Sequence, residues 1–323
     1  MITFFTTAKS FLGEARVRQM NAIMSWKALH PDIDVLLFGS GEGYEAAARE
    51  LGIVHIPEVE VNEKGVPRVD SMFSLASQRG RHPYQAYVNC DIILFDDFIK
   101  AVERIRFKQF LMVAQRWDVD IPSMVTFADD GWQRDIRNLV RDKGVLQYPG
   151  AIDFFLSRGE IWHNLPPMVV GRGLYDHWLI YYCRQRGVSV VDASRVVTIV
   201  HQNHDYSHIA GGHKVVEGGE EALRNLELGG GWEKMFTIQD ADWLLADMGV
   251  FKNWCRNDSE RCAQVFATIH PMSFWSRTKS GRLFLEAIYE WVIRCQKFRQ
   301  GQIGPLLKWV PWLIKRMRRR SFI

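Results

Sequence analysis

This chain of 323 residues lacks most of the short signatures that give a protein's chemistry away at a glance. Its five cysteines, Cys90, Cys183, Cys255, Cys262 and Cys295, are odd in number and widely spread, with no C-x-x-C pair. That argues against a disulfide framework or a zinc knuckle and favours a reducing compartment. No G-x-G-x-x-G fingerprint follows the first apolar run, and there is no Walker loop. The nearest glycine cluster, Gly39-Ser40-Gly41-Glu42-Gly43, has another spacing and reads as a strand-to-helix turn. The start, Met1-Ile2-Thr3-Phe4-Phe5-Thr6-Thr7, has neither the basic end nor the small-residue cleavage site of a signal peptide and reads as a strand, so a cytoplasmic protein is expected.

The composition that remains is ordinary: 47% hydrophobic and 24% charged residues, without a low-complexity tract, suit a globular chain long enough to bury a full core. The net charge of +4 hides an asymmetry. Residues 291–323 carry nine Lys or Arg and no Asp or Glu, leaving 32 basic against 37 acidic residues before them. A mildly acidic body argues against a nucleic-acid groove, which would need its basic stripe on the folded domain.

Short β-branched or aromatic runs recur at 2–7, 33–38, 53–56, 86–95, 110–115, 151–157, 188–192 and 196–201, separated by helical-period stretches such as 14–29, 43–51, 70–80 and 96–106. This alternation predicts an α/β fold with a mostly parallel sheet covered by helices on both faces. Ligands in such folds bind beyond the carboxyl ends of the strands. Those positions hold Thr6 to Lys9, Gly39 and Ser40, Asn89 to Asp91, Arg116 to Asp118 and His201 to His208. After about residue 215 the strand signal stops, and 219–228, 239–248, 258–269 and 280–300 read as helices. The expected division is therefore a domain at 1–215 and a helical appendage at 216–323, with Gly218-Gly219 and Gly229-Gly230-Gly231 as hinges or tight turns.

Three segments carry chemistry. Tyr87-Val88-Asn89-Cys90-Asp91-Ile92-Ile93-Leu94-Phe95 puts two oxygen-bearing side chains two residues apart in an apolar strand, where both could face one cation; Asp91 could equally cap a turn or pair with an Arg. His201-Gln202-Asn203-His204-Asp205-Tyr206-Ser207-His208 could complete a Mn²⁺ or Zn²⁺ site begun by Asp91, or hydrogen-bond a loop to itself. In Gly171-Arg172-Gly173-Leu174-Tyr175-Asp176-His177-Trp178, Asp176 is either a helix N-cap or a general base for an acceptor hydroxyl, and Arg172 could hold a phosphate or a carboxylate.

Residues 1 to about 228 resemble a family of bacterial and plant GT-A glycosyltransferase-like proteins related to the broad family-two transferases. The resemblance is carried by the opening Ile2-Thr3-Phe4-Phe5-Thr6-Thr7, Asn21-Ala22-Ile23 with Ser25-Trp26, and Val35-Leu36-Leu37-Phe38-Gly39. It continues through the Asn89 to Asp91 segment, Arg116-Trp117-Asp118, Ile152-Asp153-Phe154-Phe155, Pro166-Pro167 with Gly171-Arg172, Asp176 with Trp178-Leu179-Ile180-Tyr181, and His201 to His208. The resemblance implies a GT-A fold and a nucleoside-diphosphate sugar held through Mn²⁺ or Mg²⁺. Asn89-Cys90-Asp91 stands where the family has its Asp-x-Asp motif, with Asn in place of the first Asp. Asp91 is then the main ligand, Asn89 a supporting one, and His201 or His204 the late histidine that reaches the metal. By the same resemblance Thr6 and Thr7 line the base and ribose, with Asp70 a further candidate. Asp176 corresponds to the base of an inverting displacement, with Asp153 as its competitor, and Lys9 or Arg172 relieves charge on the departing diphosphate.

In the tail, Leu306, Leu307, Val310, Ile314 and Met317 recur at helical spacing with Lys308, Lys315 and Arg316 between them and Trp309 and Trp312 alongside. This pattern suits a helix on an anionic membrane surface; the stretch is too short and too interrupted by Pro305 and Pro311 to span. A helix packed on the domain with a solvated basic end is the alternative. The sequence therefore predicts a glycosyltransferase, cytoplasmic or peripheral at the inner face of the membrane, that serves surface polysaccharide or glycolipid synthesis. Alternatives are a non-catalytic nucleotide-sugar-binding scaffold, a sugar nucleotidyltransferase, for which Thr6-Thr7-Ala8-Lys9 is a poor loop, and a metal hydrolase built on the histidines.

Overall fold

The structure, a computed structural model, describes residues 1–128, 131–204, 218–253 and 258–299. The chain opens with β1 (Ile2–Thr7), α1 (Gly13–Ala28), β2 (Ile33–Phe38), α2 (Tyr44–Leu51), β3 (Val54–Ile56) and α3 (Val69–Arg79). There follow β4 (Tyr84–Val88), β5 (Ile92–Leu94), α4 (Asp96–Arg104), β6 (Phe110–Val113), β7 (Trp117–Val119), α5 (Gly131–Lys143) and β8 (Val145–Leu146). Next come β9 (Phe154–Arg158), α6 (Tyr175–Gln185), β10 (Ser189–Asp192), β11 (Ile199–Gln202) and α7 (Glu220–Gly229). The last elements are β12 (Trp243–Ala246), β13 (Gly249–Lys252), α8 (Ser259–Ile269), α9 (Phe274–Arg277) and α10 (Lys279–Arg299).

Among the described residues the strands form two sheets, one of nine in the order β13-β12-β10-β6-β9-β4-β1-β2-β3 and one of four in the order β5-β11-β7-β8. The large sheet is mostly parallel; β9 runs antiparallel between β4 and β6, and β13 antiparallel to β12. Its strands are apolar on both sides because both faces are covered. In β1 the alternation sends Phe4 into a core with Met20, Ile23 and Trp26 of α1 and Phe98 of α4, and Phe5 into a second core with Met72 and Phe73 of α3 and Leu179 of α6. A third cluster packs Trp132, Ile136 and Val140 of α5 on Ile93, Val119 and Val200 of the small sheet. Truncating a fully buried ring such as Phe4 to Ala would cost about 3–5 kcal/mol.

The expected α/β class, with helices on both faces of a mostly parallel sheet, is what the structure has. Three local expectations change. The 86–95 run is two strands in two different sheets, divided by a turn at Asn89 to Asp91. The 239–248 stretch is not a helix: Trp243–Ala246 and Gly249–Lys252 form a hairpin that extends the nine-stranded sheet beside β10. The large sheet thus draws strands from both sides of residue 215. Residues 131–143, to which the sequence reading assigns no element, are a helix. Of the two readings of Gly229-Gly230-Gly231, the tight turn is the one found: it ends α7, Gly230 takes the left-handed cap at φ 80°, and a Cβ on Gly229 would come within 2.8 Å of Trp178 of α6.

Candidate active site

The site grows from the turn between the two sheets. β4 leaves the large sheet at Val88, β5 enters the small one at Ile92, and Asn89-Cys90-Asp91 makes the crossing. The Asn89 N–H donates to the carbonyl of Asp153 (2.9 Å), the Ile92 N–H to that of Asn89 (3.1 Å), and the Gln202 N–H to that of Asp91 (3.2 Å). Helix α1 braces the far side with polar groups that would otherwise be misplaced in a core. Trp26 Nε1 donates to the Ile92 carbonyl (2.8 Å), Ser25 Oγ accepts from the Leu94 N–H (3.1 Å), and Asn21 Nδ2 donates to Gln202 Oε1 (3.0 Å). Gln202 Nε2 in turn donates to the Asp91 carbonyl (3.1 Å).

So held, the Asp91 side chain meets both histidines. Its Oδ2 lies 3.1 Å from His204 Nε2 and 3.7 Å from His201 Nε2, and one ligand atom from each of the three residues falls within 4.8 Å of the others. His201 lies on β11 in register with Asp118 of β7, and its Nδ1 is 3.3 Å from Asp118 Oδ1. Arg116 Nε is 2.9 Å from Asp118 Oδ1, and its NH1 is 2.7 Å from Asp153 Oδ2. Asn89 closes the chain, donating from Nδ2 to Asp153 Oδ1 (2.7 Å) and accepting at Oδ1 from the Tyr87 hydroxyl (2.8 Å).

Burial alone would raise the Asp91 carboxyl, but His201, His204 and Arg116 outweigh it and hold the group well below the usual carboxylate range. Burial likewise works against a charged His201, and Asp91 and Asp118 reverse it, raising the imidazole. Arg116 is raised too: burial opposes its charge, and Asp153 and Asp118 more than restore it. Asp91 keeps one feature that these pairings do not use. Its Oδ1 is buried and has no hydrogen-bond partner. A buried carboxylate with one oxygen unpartnered and the other beside two imidazole nitrogens is a donor set that fits a divalent cation such as Mn²⁺ or Zn²⁺. Asp118 would then be the carboxylate behind a ligating histidine, fixing which ring nitrogen faces the ion.

Asp176 lies in the first turn of α6 and does not cap it: the capping position is Leu174, a non-glycine residue in the left-handed region at φ 82°. Burial, and after it the Asp153 charge, push the Asp176 carboxyl up against the opposing pull of His177, and its Oδ1 has no hydrogen-bond partner. The neighbouring Tyr175 packs edge-on against Tyr87, ring centroids 6.4 Å apart, which ties the start of α6 to the Asn89 turn. Asp153, the competing base, is buried and engaged by both Arg116 and Asn89.

The other expected residues are placed as follows. Thr6 is buried at the tip of β1, its hydroxyl donating to the Thr7 carbonyl (3.1 Å), and Thr7 beside it is half-buried. Lys9 is exposed, with its backbone clasped by the Gln19 amide at 2.7 and 3.0 Å. Asp70 is in a bidentate pair with Arg68 (2.5 and 3.1 Å), and Arg172 is paired with Glu221 of α7 (2.6 Å), so neither joins the Asp91 cluster. Asn89 turns to Tyr87 and Asp153 instead of sharing a strand face with Asp91. Asp205, Ser207 and His208, and the 303–320 tail, lie outside the described residues. Sequence reasoning missed the roles of Arg116, Asp118 and Gln202 as partners. The available signal was their position at the ends of adjacent strands.

No protein-family model and no curated protein matches the chain. Among solved structures the chain is similar to glucosyl-3-phosphoglycerate synthase from Mycobacterium tuberculosis in complex with Mn²⁺, uridine diphosphate and phosphoglyceric acid, at 18% identity over 72% of this chain and 79% of that one, with a TM-score of 0.42. It is also similar to a mannosyltransferase from Pyrobaculum calidifontis in complex with GDP-Man and Mn²⁺, at 11% identity over 100% of this chain and 80% of that one, with a TM-score of 0.40.

Proposed function

We propose that this protein is a GT-A glycosyltransferase that moves a sugar from a nucleoside-diphosphate sugar to an acceptor hydroxyl. The observation that carries the reading is the Asp91, His201 and His204 cluster at the carboxyl end of β4, with Asp91 Oδ1 buried and unpartnered. These three side chains would hold a divalent cation such as Mn²⁺, whose charge would stabilise the departing diphosphate. Asp176 supplies the base: its raised carboxyl accepts the acceptor proton more readily than an ordinary surface aspartate, and its free Oδ1 is available for it. We assign the displacement as inverting, with Asp176 as its single base. Asp153 is a positioning group in this scheme, because Arg116 and Asn89 occupy its oxygens. Thr6 and Thr7 at the tip of β1 are assigned to the donor's base and ribose.

We assign the acceptor to surface polysaccharide or glycolipid synthesis, a reading supported by the basic, Trp-containing 303–320 segment and its match to a membrane-surface helix. The fold places strands on both sides of residue 215, and no helix among the described residues is long and apolar enough to cross a membrane. The test is the thermal stability of the purified protein against a panel of nucleoside diphosphates and nucleotide sugars, with and without Mn²⁺ or Mg²⁺, repeated on Asp91→Ala. A ligand at about 100 times its dissociation constant should stabilise by about 2.7 kcal/mol. Metal-dependent stabilisation by one diphosphate series, lost in Asp91→Ala, is the expected result. A protein indifferent to every nucleotide would refute the transferase reading, and the nucleotide-sugar-binding scaffold with it, and favour the hydrolase.

A further inference from the structure

Far along the chain, α10 presents an apolar face that the transferase reading does not use. The helix packs against α8 and α9, with Leu285 buried in that contact. Phe284, Ile288 and Trp291 project elsewhere: their spacing of four and three residues puts them on one helical face, and they are 38%, 41% and 55% exposed. Trp275 of α9 stacks on Phe284 with ring centroids 4.8 Å apart and is itself exposed, and Met272 just before it is among the most exposed apolar side chains. Single exposed apolar residues are unremarkable on a protein surface, but an aligned stripe with two tryptophans is a contact surface.

We propose that this stripe is a membrane-docking face, and that its occupant is the surface of an anionic bilayer. Two observations select a bilayer over a protein partner. The stripe is predominantly aromatic, and tryptophan in particular has an apolar body and a polar edge that suit the boundary between acyl chains and headgroups. It also leads directly into a chain end that repeats the same chemistry: residues 300–323 carry six Lys or Arg, Trp309, Trp312 and no acidic side chain. Apolar rings that enter the boundary and cations that remain at the headgroups are the two halves of an interfacial anchor. The inference extends the docking reading of 303–320 by adding a preformed surface on the folded part of the chain, which would give the protein a defined face toward the bilayer.

The test is co-sedimentation of the full chain with vesicles of phosphatidylcholine alone and of phosphatidylcholine mixed with phosphatidylglycerol. Three proteins are compared: wild type, Phe284→Ser with Trp291→Ser, and a tail variant with Arg316, Arg318, Arg319 and Arg320 changed to Gln. Wild type is expected to sediment with the mixed vesicles only, and the stripe variant to bind them about tenfold more weakly with an unchanged melting temperature. Trp291→Ser alone, at the most exposed of the three α10 positions, serves if the double variant melts early. Weakening by the tail variant with none by either stripe variant would overturn the stripe and leave the tail reading intact. Weakening by the stripe variants alone would sustain the stripe and remove the tail. A wild type that ignores mixed vesicles, or that self-associates through the stripe instead, would overturn the proposal.

Discussion

Two clusters of opposite charges show how differently this chain uses the same side-chain chemistry. Around Asp91, three carboxylates, two imidazoles and one guanidinium are drawn into a mostly buried chain from Asp153 through Arg116, Asp118 and His201 to Asp91. Around α7, Glu221 pairs with Arg172 at 2.6 Å and accepts from Asn62 at 2.7 Å, and Glu220 pairs with Lys64 at 2.6 Å. The second cluster is matched partner to partner and serves to fasten α7 to the loops beneath it. The first leaves four buried atoms without a hydrogen bond; Asp118 Oδ1, Arg116 Nε and His201 Nδ1 sit in ion pairs with one another, and Asp91 Oδ1 is the exception. Burial makes that exception costly, since a shielded carboxylate oxygen without a partner is disfavoured unless something else binds there. The contrast separates a charge cluster built to hold the fold from one built to hold a ligand.

The sharpest break would come from Asp176→Asn. Turnover should fall by about 10²–10⁴-fold, the usual contribution of a positioned base. The same change should stabilise the fold, and the sign follows from the raised carboxyl. The native state disfavours the ionised form, so stability declines as pH rises through the folded value, and Asn escapes that loss. Melting curves of the two proteins should therefore separate at neutral pH, with the variant higher, and converge at pH below the ordinary carboxylate range.

Next in size is Arg116→Met, which leaves Asp153 without a cationic partner and Asp118 with His201 alone. Denaturant melts should show a loss of about 3–5 kcal/mol, as for other broken buried pairs. Asp118→Asn is milder on stability and is aimed at the proposed metal: Mn²⁺ affinity measured by electron paramagnetic resonance should drop about 10–100-fold. The smallest effect belongs to the other cluster. Arg172→Ala should cost about 1 kcal/mol in a melt and leave Mn²⁺ affinity where it was. If Arg172→Ala instead weakened Mn²⁺ binding as Asp118→Asn does, the two clusters would not be separate and the contrast would fail.

Much of the large sheet was legible because buried strands flanked by amphipathic helices leave an alternating trace that needs no tertiary knowledge. Ile2–Thr7, Ile33–Phe38 and Ser189–Asp192 were read at or near their observed bounds for that reason. The trace failed where one apolar run served two sheets. Nothing in the apolar residues flanking Asn89 to Asp91 announces a turn, yet that turn lets Asp91 face His201 and His204 while Asn89 faces Tyr87 and Asp153. Trp243 to Ala246 deceived in another way. Leu244, Leu245 and Ala246 are good helix formers, and Asp247-Met248-Gly249 resembles a helix end, but pairing with β10 overrides propensity. Within the site, residue types marked Asp91 and the histidines, whereas the partners Arg116 and Asp118 depend on strand register, which local patterning does not encode.

The turn at Asn89 to Asp91 is also a seam. On one side of it, Asn89 and Asp153 move with the large sheet; on the other, Asp91 and His201 belong to the small one, where His201 is in register with Ile92. Arg116 is the strap across that seam, one end on Asp153 and the other on Asp118. Tilting the two sheets against each other would stretch that guanidinium between two carboxylates, and the β5–β11 pairing keeps Asp91 and His201 side by side on the small sheet's half of the seam.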